Sequence, residues 1–465
     1  MFSKLLSLIV CLSAALAVSA QQAAPKYIFF FIGDGMGMGH VMTAQTYNRT
    51  VLGNDELLPM MQFPVSSLAM TYSANRKITD SAAAGTALST GHKTDNGMLG
   101  VTPDGAPVYS IATELQKRGY GIAIGTSVPP DDATPGAFYA HVPSRSMYYE
   151  IGLDMARSGY DMFVGSKLRG LADAEGHATG LLDSLRVHGY TVVEGRKAFE
   201  QSKGKDKIVL LNGDPTLEHF GYTIDSIDAN LHLPYITQAC LDHLKRVSPD
   251  KFFMMIEGGN IDWAAHANDG GAVVKEILNF NEAIGIAYDF YKQHPDETLI
   301  VITADHNTGG MQMGVEDGPE DINLKNMDYQ RVSIEMFERY CKSLIESGKQ
   351  VKWNDMKAYL KENLGLYGSI TVGKEQDEEL RDKFEKTFVE HESDDTETLY
   401  ATYNEFVSQV FSTLDHLTGI GWTTTDHTGD FVPVFAVGVG SELFKNVNNN
   451  IEIPAKIRRI AAIAQ

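Results

Sequence analysis

Apolar residues gather along this chain in short runs that are rich in β-branched and aromatic side chains and end near Gly or Asp. Six runs stand out, at 27–32, 121–126, 208–211, 252–256, 299–303 and 431–437. Each is too continuous for a strand with one wet face, so each predicts a strand buried on both sides. Stretches of helical character separate them, such as 110–118. Together they predict an α/β fold with a doubly wound, largely parallel central sheet and helices on both faces.

The texture changes after Gly310. From about 316 to 418 the chain is charged and helical in period. Tyr403, Phe406, Val407, Val410, Phe411 and Leu414 fall on one helix face, and Leu380, Phe384 and Phe388 mark another. Acidic residues crowd 375–397. The segment reads as a mainly helical insertion packed over the sheet, not a separate chemistry, within one α/β domain spanning 21–465.

Hydrophobic residues at 43% and charged residues at 21% favour a packed core over disorder. A formal net charge of -21 leaves no basic footprint for nucleic acid, so no specific nucleic-acid partner is expected. An anionic substrate would need a local cationic site, which bound metals could supply. At the N-terminus, Lys4 precedes an apolar stretch that ends in Val18-Ser19-Ala20. This predicts a secretory signal peptide at 1–20 and export to the periplasm or beyond. Cys11 lies inside that segment, where Val10 makes a poor lipoprotein box. Cys240 and Cys341 are too few for a disulfide framework or a thiolate zinc site, and a single bridge stays open. No later stretch is long and apolar enough to span a bilayer, and the C-terminus lacks the tail of a GPI signal.

Ligands of open α/β sheets bind beyond the carboxyl ends of the strands. Gly33-Asp34-Gly35 follows the first run, and Glu257, Asp262 and His266 follow the run at 252–256. Asp305-His306 follows the run at 299–303, and Asp426-His427 precedes the last. Neutral nitrogen and hard oxygen recur at one edge, a donor set suited to zinc and magnesium. The glycines at 33–39 miss the dinucleotide-binding spacing. They fit a sharp turn that leaves Asp34 facing a metal. In Thr79-Asp80-Ser81, a capping residue would put Ser81 in the first turn of a helix, where backbone N–H groups favour an anion. Taken alone, that segment is most simply an ordinary helix start. Asp132-Ala133-Thr134 could point two oxygens one way, and Arg145 could clamp a phosphate, although alone it reads as a surface arginine.

Jointly these residues resemble the alkaline phosphatase family. The resemblance is carried by IGDGMG around Asp34, TDSAAAGTA around Ser81, STGHKTDNG at 89–97 and DATPGAFYAHVPSR at 132–145. It continues in EGGNIDWAAHAND at 257–269, TADHNTGG at 303–310 and DHTGDFVPVFAVG at 426–438. It implies a phosphomonoesterase that takes small-molecule phosphate monoesters and passes through a phosphoserine at Ser81, with two zinc ions and one magnesium ion. Asp262, His266 and His427 would hold the first zinc, and Asp34, Asp305 and His306 the second. Asp34, Thr134 and Glu257 would hold magnesium, with Asp132 acting mainly through coordinated water. Arg145 would grip the phosphate, oriented by Asp80. Members are commonly homodimers, an interface the insertion would cover or rebuild.

One position departs from the pattern. Trp263 stands where the best-studied bacterial member has lysine and many animal members have histidine. Marine and cold-adapted members that share the tryptophan typically pair it with histidine at the Asp132 position, yet Asp132 is kept here. The missing cation is expected to weaken phosphate binding, and Trp263 becomes a candidate neighbour of the site. Three of the 14 histidines are assigned to zinc. His40, His92 and His141 lie near motifs as possible supporting donors. Two rival readings remain: a phosphodiesterase or phosphonate monoester hydrolase of the same superfamily, and a non-catalytic metal- or phosphate-binding protein.

Overall fold

A computed structural model describes residues 24–214, 216–227, 231–392 and 394–463. The expected signal segment at 1–20, with Cys11, lies outside them. The apolar runs become strands of one ten-stranded sheet among these residues. The strands are β1 (Tyr27–Ile32), β2 (Val65–Met70), β3 (Gly121–Thr126), β4 (Met162–Gly165), β5 (Thr191–Glu194) and β6 (Ile208–Leu211), then β7 (Phe252–Glu257), β8 (Thr298–Thr303), β9 (Val432–Gly438) and β10 (Asn448–Asn449). Across the sheet the order is β10-β2-β9-β8-β1-β7-β3-β4-β6-β5. Pairing is parallel everywhere except at β9, which runs against both β8 and β2. The expectation of a largely parallel α/β sheet therefore holds. The strands that gave no apolar signal are short or only partly buried: β2 carries two serines, β4 has four residues, and β5 is a half-exposed edge.

Register sets up the site. Ile32 at the end of β1 stands level with Glu257 of β7 and Thr303 of β8, and Thr126 of β3 is level with Glu257. Four neighbouring strands thus end in one row, and the residues that follow emerge at a common edge. The reversal of β9 brings its start, preceded by His427, to that same edge. Burial holds the row in place. Ile28 to Ile32 are fully buried, as are Met254 to Ile256 and Leu299 to Ile302. Each such side chain contributes about 2 kcal/mol through its removal from water. Three helices start at the edge: α1 (Ser81–Thr90), α2 (Ala133–Gly136) and α3 (Asn260–His266).

The insertion supplies α4 (Ile334–Glu346), α5 (Trp353–Leu364), α6 (Lys374–Glu385) and α7 (Glu405–Thr418). Its start, at Leu324 and Met327, joins the core around the sheet, whereas its helices gather around a second core. Phe337, Leu360, Phe384, Phe406 and Val410 close on a core of their own, shared with Ala267 just past α3. The helical reading is corrected in detail. Tyr403 belongs to a two-residue strand, and Phe388 to a π-helical turn after α6. Buried polar links join insertion to body: Glu335 meets His219 at 2.8 Å, and Asp269 accepts from the Ile334 amide at 2.8 Å. Cys240 and Cys341 are separate buried thiols, so the bridge left open by the sequence is not formed. No helix among the described residues is long and apolar enough to cross a membrane.

Candidate active site

The six residues expected to hold zinc converge. Asp262, His266 and His427 offer ligand atoms within 4.8 Å of one another, and Asp34, Asp305 and His306 do the same. The two groups adjoin: the His306 and His427 rings stack at 3.6 Å, and His306 Nδ1 lies 4.0 Å from Asp262 Oδ1. Gly35 makes the fit possible. Its φ of +68° suits glycine, and a Cβ there would come within 2.7 Å of Asp262 Oδ1.

Hydrogen bonds fix which ring nitrogen of each histidine carries its proton. His266 Nδ1 is 2.5 Å from the Thr425 carbonyl and His427 Nδ1 is 2.9 Å from the Thr79 carbonyl. A carbonyl can only accept, so both Nδ1 atoms are protonated and both Nε2 atoms present lone pairs. Those Nε2 atoms face each other at 3.1 Å. The Thr308 hydroxyl donates to Asp262 Oδ1, which leaves it to accept from His306 Nδ1 at 3.1 Å. His306 Nε2 then turns its lone pair toward Asp305 Oδ2 at 3.1 Å, Asp34 Oδ1 at 3.3 Å and Ser81 Oγ at 3.1 Å.

Lone pair against lone pair, with carboxylates around them, is stable only if something positive lies between. The buried oxygens Asp34 Oδ1, Asp262 Oδ2, Asp305 Oδ2 and Glu257 Oε1 accept no hydrogen bond. The residues therefore fit metal ions. Without a cation, protons take that role. Burial, then the charges of Asp305, Asp262 and Glu257, push Asp34 well above the ordinary carboxylate range. Burial likewise lifts Glu257 to about 8. Burial would raise Asp262 too, but the imidazoles of His266, His306 and His427 hold it at about 2.

The third group is only partly assembled by protein atoms alone. Thr134 Oγ1 donates to Asp34 Oδ2 at 3.4 Å, and the Thr126 hydroxyl donates to Glu257 Oε2. Asp132 faces elsewhere: Arg145 Nη2 takes its Oδ1 at 3.2 Å and Arg169 Nη1 its Oδ2 at 3.1 Å. With both oxygens engaged, Asp132 suits a contact through water better than direct ligation.

Ser81 is the first residue of α1, and Asp80 caps that helix by accepting from the Ala83 amide at 3.0 Å. Asp80 Oδ2 also accepts from the Gly97 amide at 3.0 Å and faces Arg145 Nη1 at 3.5 Å. Burial works against the Arg145 charge, but Tyr400, Asp132 and Asp80 outweigh it and hold the group protonated. Asp80, Arg145, His266 and His427 line a cavity of about 990 Å³, together with Tyr148, Arg169, Leu399 and Tyr400.

Several of these residues were not visible in the sequence. Tyr400 belongs to the insertion, so this segment, whose role the sequence left open, contributes to the wall of the cavity. Tyr400 stacks on Trp263 at 4.3 Å and meets His266 edge-on at 5.3 Å. Arg169 lies over the Trp263 ring at 5.6 Å, so a cation is present beside the position that seemed to have lost one. His92 and His141 bond backbone carbonyls of Thr90 and Gly100 and support no candidate ligand directly. Buried His40 accepts from the Gly37 amide at its own helix start.

A mixed sheet carrying a serine and two histidine–carboxylate clusters at its strand ends is the framework of a metal-dependent hydrolase. Comparison with known proteins identifies which one. The alkaline phosphatase family profile matches residues 25–164 and 162–463. Alkaline phosphatase 4 of Bacillus subtilis is 29% identical over 94% of this chain and 89% of its own length. The repressible alkaline phosphatase of Saccharomyces cerevisiae is 26% identical over 94% of this chain and 80% of its own. Among solved structures, a cold-active alkaline phosphatase from Shewanella sp. superimposes with a TM-score of 0.77 at 27% identity, covering 94% of this chain and all of that one. The chain belongs to the alkaline phosphatase family and is a phosphoric monoester hydrolase.

Proposed function

We propose that the chain hydrolyses small phosphate monoesters in two displacements at Ser81. The single observation that carries this is the position of Ser81 Oγ, buried at a helix N-terminus and 3.1 Å from His306 Nε2 of the Asp34, Asp305 and His306 cluster. Asp262, His266 and His427 would hold one zinc ion and Asp34, Asp305 and His306 a second. Asp34, Thr134 and Glu257 would hold magnesium, with Asp132 behind a water molecule. When bound, these ions supply Lewis acidity and offset the charge of a transferring phosphoryl group.

The protein's own groups account for the rest. Asp80 fixes the start of α1, so Ser81 Oγ and the first free amides of the helix face one point, where the helix dipole favours an anion. Arg145 presents a planar fork to the non-bridging oxygens and is braced by Asp80 and Asp132. Ser81 Oγ attacks phosphorus, the ester P–O bond breaks, and the alcohol leaves with a proton. Water then attacks the phosphoserine, the P–Oγ bond breaks, and phosphate leaves as Ser81 regains its proton. Depth and positive charge at the cavity floor favour a terminal phosphate over a diester, whose second substituent would have to share the Arg145 side. Export to the periplasm or beyond belongs to the same proposal and rests on the character of residues 1–20.

Turnover of an aryl phosphate monoester and the matching diester by metal-loaded protein tests the reading. We expect the monoester to be favoured by at least about 10³ in kcat/KM, as differential transition-state binding by Arg145 and the metals demands. Comparable rates for the two would place the chain with the phosphodiesterases instead.

A further inference from the structure

We infer that Arg169 is a positioning residue for phosphate, acting through Asp132 to keep Arg145 available to the substrate. This rests on the reading of Arg145 as the phosphate clamp. The observations lie on either side of Asp132. Its Oδ1 takes Arg145 Nη2 at 3.2 Å and its Oδ2 takes Arg169 Nη1 at 3.1 Å. Asp132 is nearly buried, and the two arginine side chains are 19% and 18% exposed, so none of these charges is fully screened by water.

Charge balance explains why two arginines are needed. Arg145 stands between two carboxylates, Asp80 at 3.5 Å and Asp132. Alone, its single positive charge would be outnumbered, and the clamp would repel an incoming dianion. Arg169 adds a second guanidinium beside Asp132, with Glu218 and Asp131 as its further acidic neighbours. It also acts through geometry. A carboxylate with both oxygens free draws an arginine into a bidentate pair. With Oδ2 held by Arg169, Asp132 can give Arg145 only one oxygen, so Arg145 Nη1 is not drawn onto Asp132 and stays beside Asp80 and Tyr400 at the cavity wall.

The placement of Arg169 is built and not incidental. It opens the single turn Arg169–Leu171 after β4. The buried carboxylate of Asp131 pins that turn, accepting from the Arg169 amide at 3.1 Å and the Gly170 amide at 2.8 Å. Thus Asp131 holds the backbone of the turn while Asp132 holds its side chain. The guanidinium lies over the rings of Tyr148 at 5.2 Å and Trp263 at 5.6 Å, and the Tyr148 hydroxyl accepts from Nη1 at 3.2 Å. Aromatic faces on a cation of this kind fix its plane as well as its position. Glu218 approaches Arg169 Nε at 3.8 Å, but it is half exposed and already paired with Lys167, so it competes weakly.

The test combines calorimetric binding of inorganic phosphate with steady-state kinetics on metal-loaded wild type, Arg169→Ala and Arg169→Lys. We expect Arg169→Ala to raise both the phosphate Kd and the KM for an aryl phosphate about tenfold, the size of one charge-assisted hydrogen bond, while kcat falls less than about threefold. Arg169→Lys should recover part of the loss, since a point charge can still hold Asp132 Oδ2. A phosphate Kd and KM within twofold of wild type in Arg169→Ala would overturn the inference. If that variant fails to fold, Arg169→Gln, which keeps bulk but removes the charge, decides: a phosphate Kd and KM within twofold of wild type would overturn the inference equally. Absence of monoester turnover in the wild type is a different result and would count against the proposed function itself.

Discussion

At the sheet edge, every metal-ligand candidate stands within a few residues of a strand end or on the helix that follows it. In the insertion, Leu399 and Tyr400, which reach the cavity, sit on the turn of a hairpin between two two-residue strands. The first arrangement is fixed by the register of buried parallel strands, which cannot slip without turning their side chains over. The second is fixed by contacts: Tyr400 against Trp263, and Glu335 against His219. The edge is therefore built to hold charge in place, and the insertion to shape what approaches it.

Substitutions in the two regions should separate these roles. At the edge, His306→Ala removes a candidate ligand, and its neighbour Ser81 loses its partner. We expect kcat/KM to fall by about 10³ or more, with less metal retained in the purified protein. On the insertion side, Tyr400→Ala removes one ring of the stack on Trp263. There we expect about a fivefold rise in KM for an aryl phosphate, with kcat and metal content nearly unchanged. Equal damage to kcat from both variants would erase the distinction.

A smaller effect concerns the joint between the regions. Burial would lower the His219 pKa, but Glu335 outweighs it and raises it above 6.5. Burial would raise Glu335, but His219 and Arg339 hold it at about 2. A raised histidine contributes stability below its unfolded value that is lost as pH climbs through the raised one. A depressed glutamate contributes stability above its unfolded value that is lost as pH falls toward the depressed one. The pair thus supports the fold fully between about pH 4.5 and 6.5. Glu335→Gln should lower the thermal midpoint by about 2–4 °C in that window, and the gap should narrow at alkaline pH. A gap independent of pH would mean that the pair is not ionised.

The same contrast governs what could be read from the residues alone. The strands β1, β3, β6, β7, β8 and β9 announced themselves because burial on both faces leaves an unbroken apolar run. Asp34, Glu257, Asp305 and His306 were legible because they follow such runs directly. His427 precedes its run, and it reaches the same edge only because β9 is reversed, which the pattern does not show. Arg169 was invisible: it follows a four-residue strand with no motif, and its partners Asp132 and Trp263 are 37 and 94 positions away. Tyr400 lies just past the acidic stretch at 375–397, with no motif around it. Neither carries a local signature, since each gains its meaning only from tertiary contact.

The account's central claim is that Ser81 Oγ forms the bond to phosphorus. Metal-loaded protein mixed with a phosphate monoester, quenched in acid and digested, allows that bond to be located by peptide mass spectrometry. One phosphoryl group on the peptide containing Ser81, absent from Ser81→Ala along with nearly all turnover, is the predicted result. Wild-type turnover in Ser81→Ala, or a phosphoryl group trapped on another residue, would contradict it.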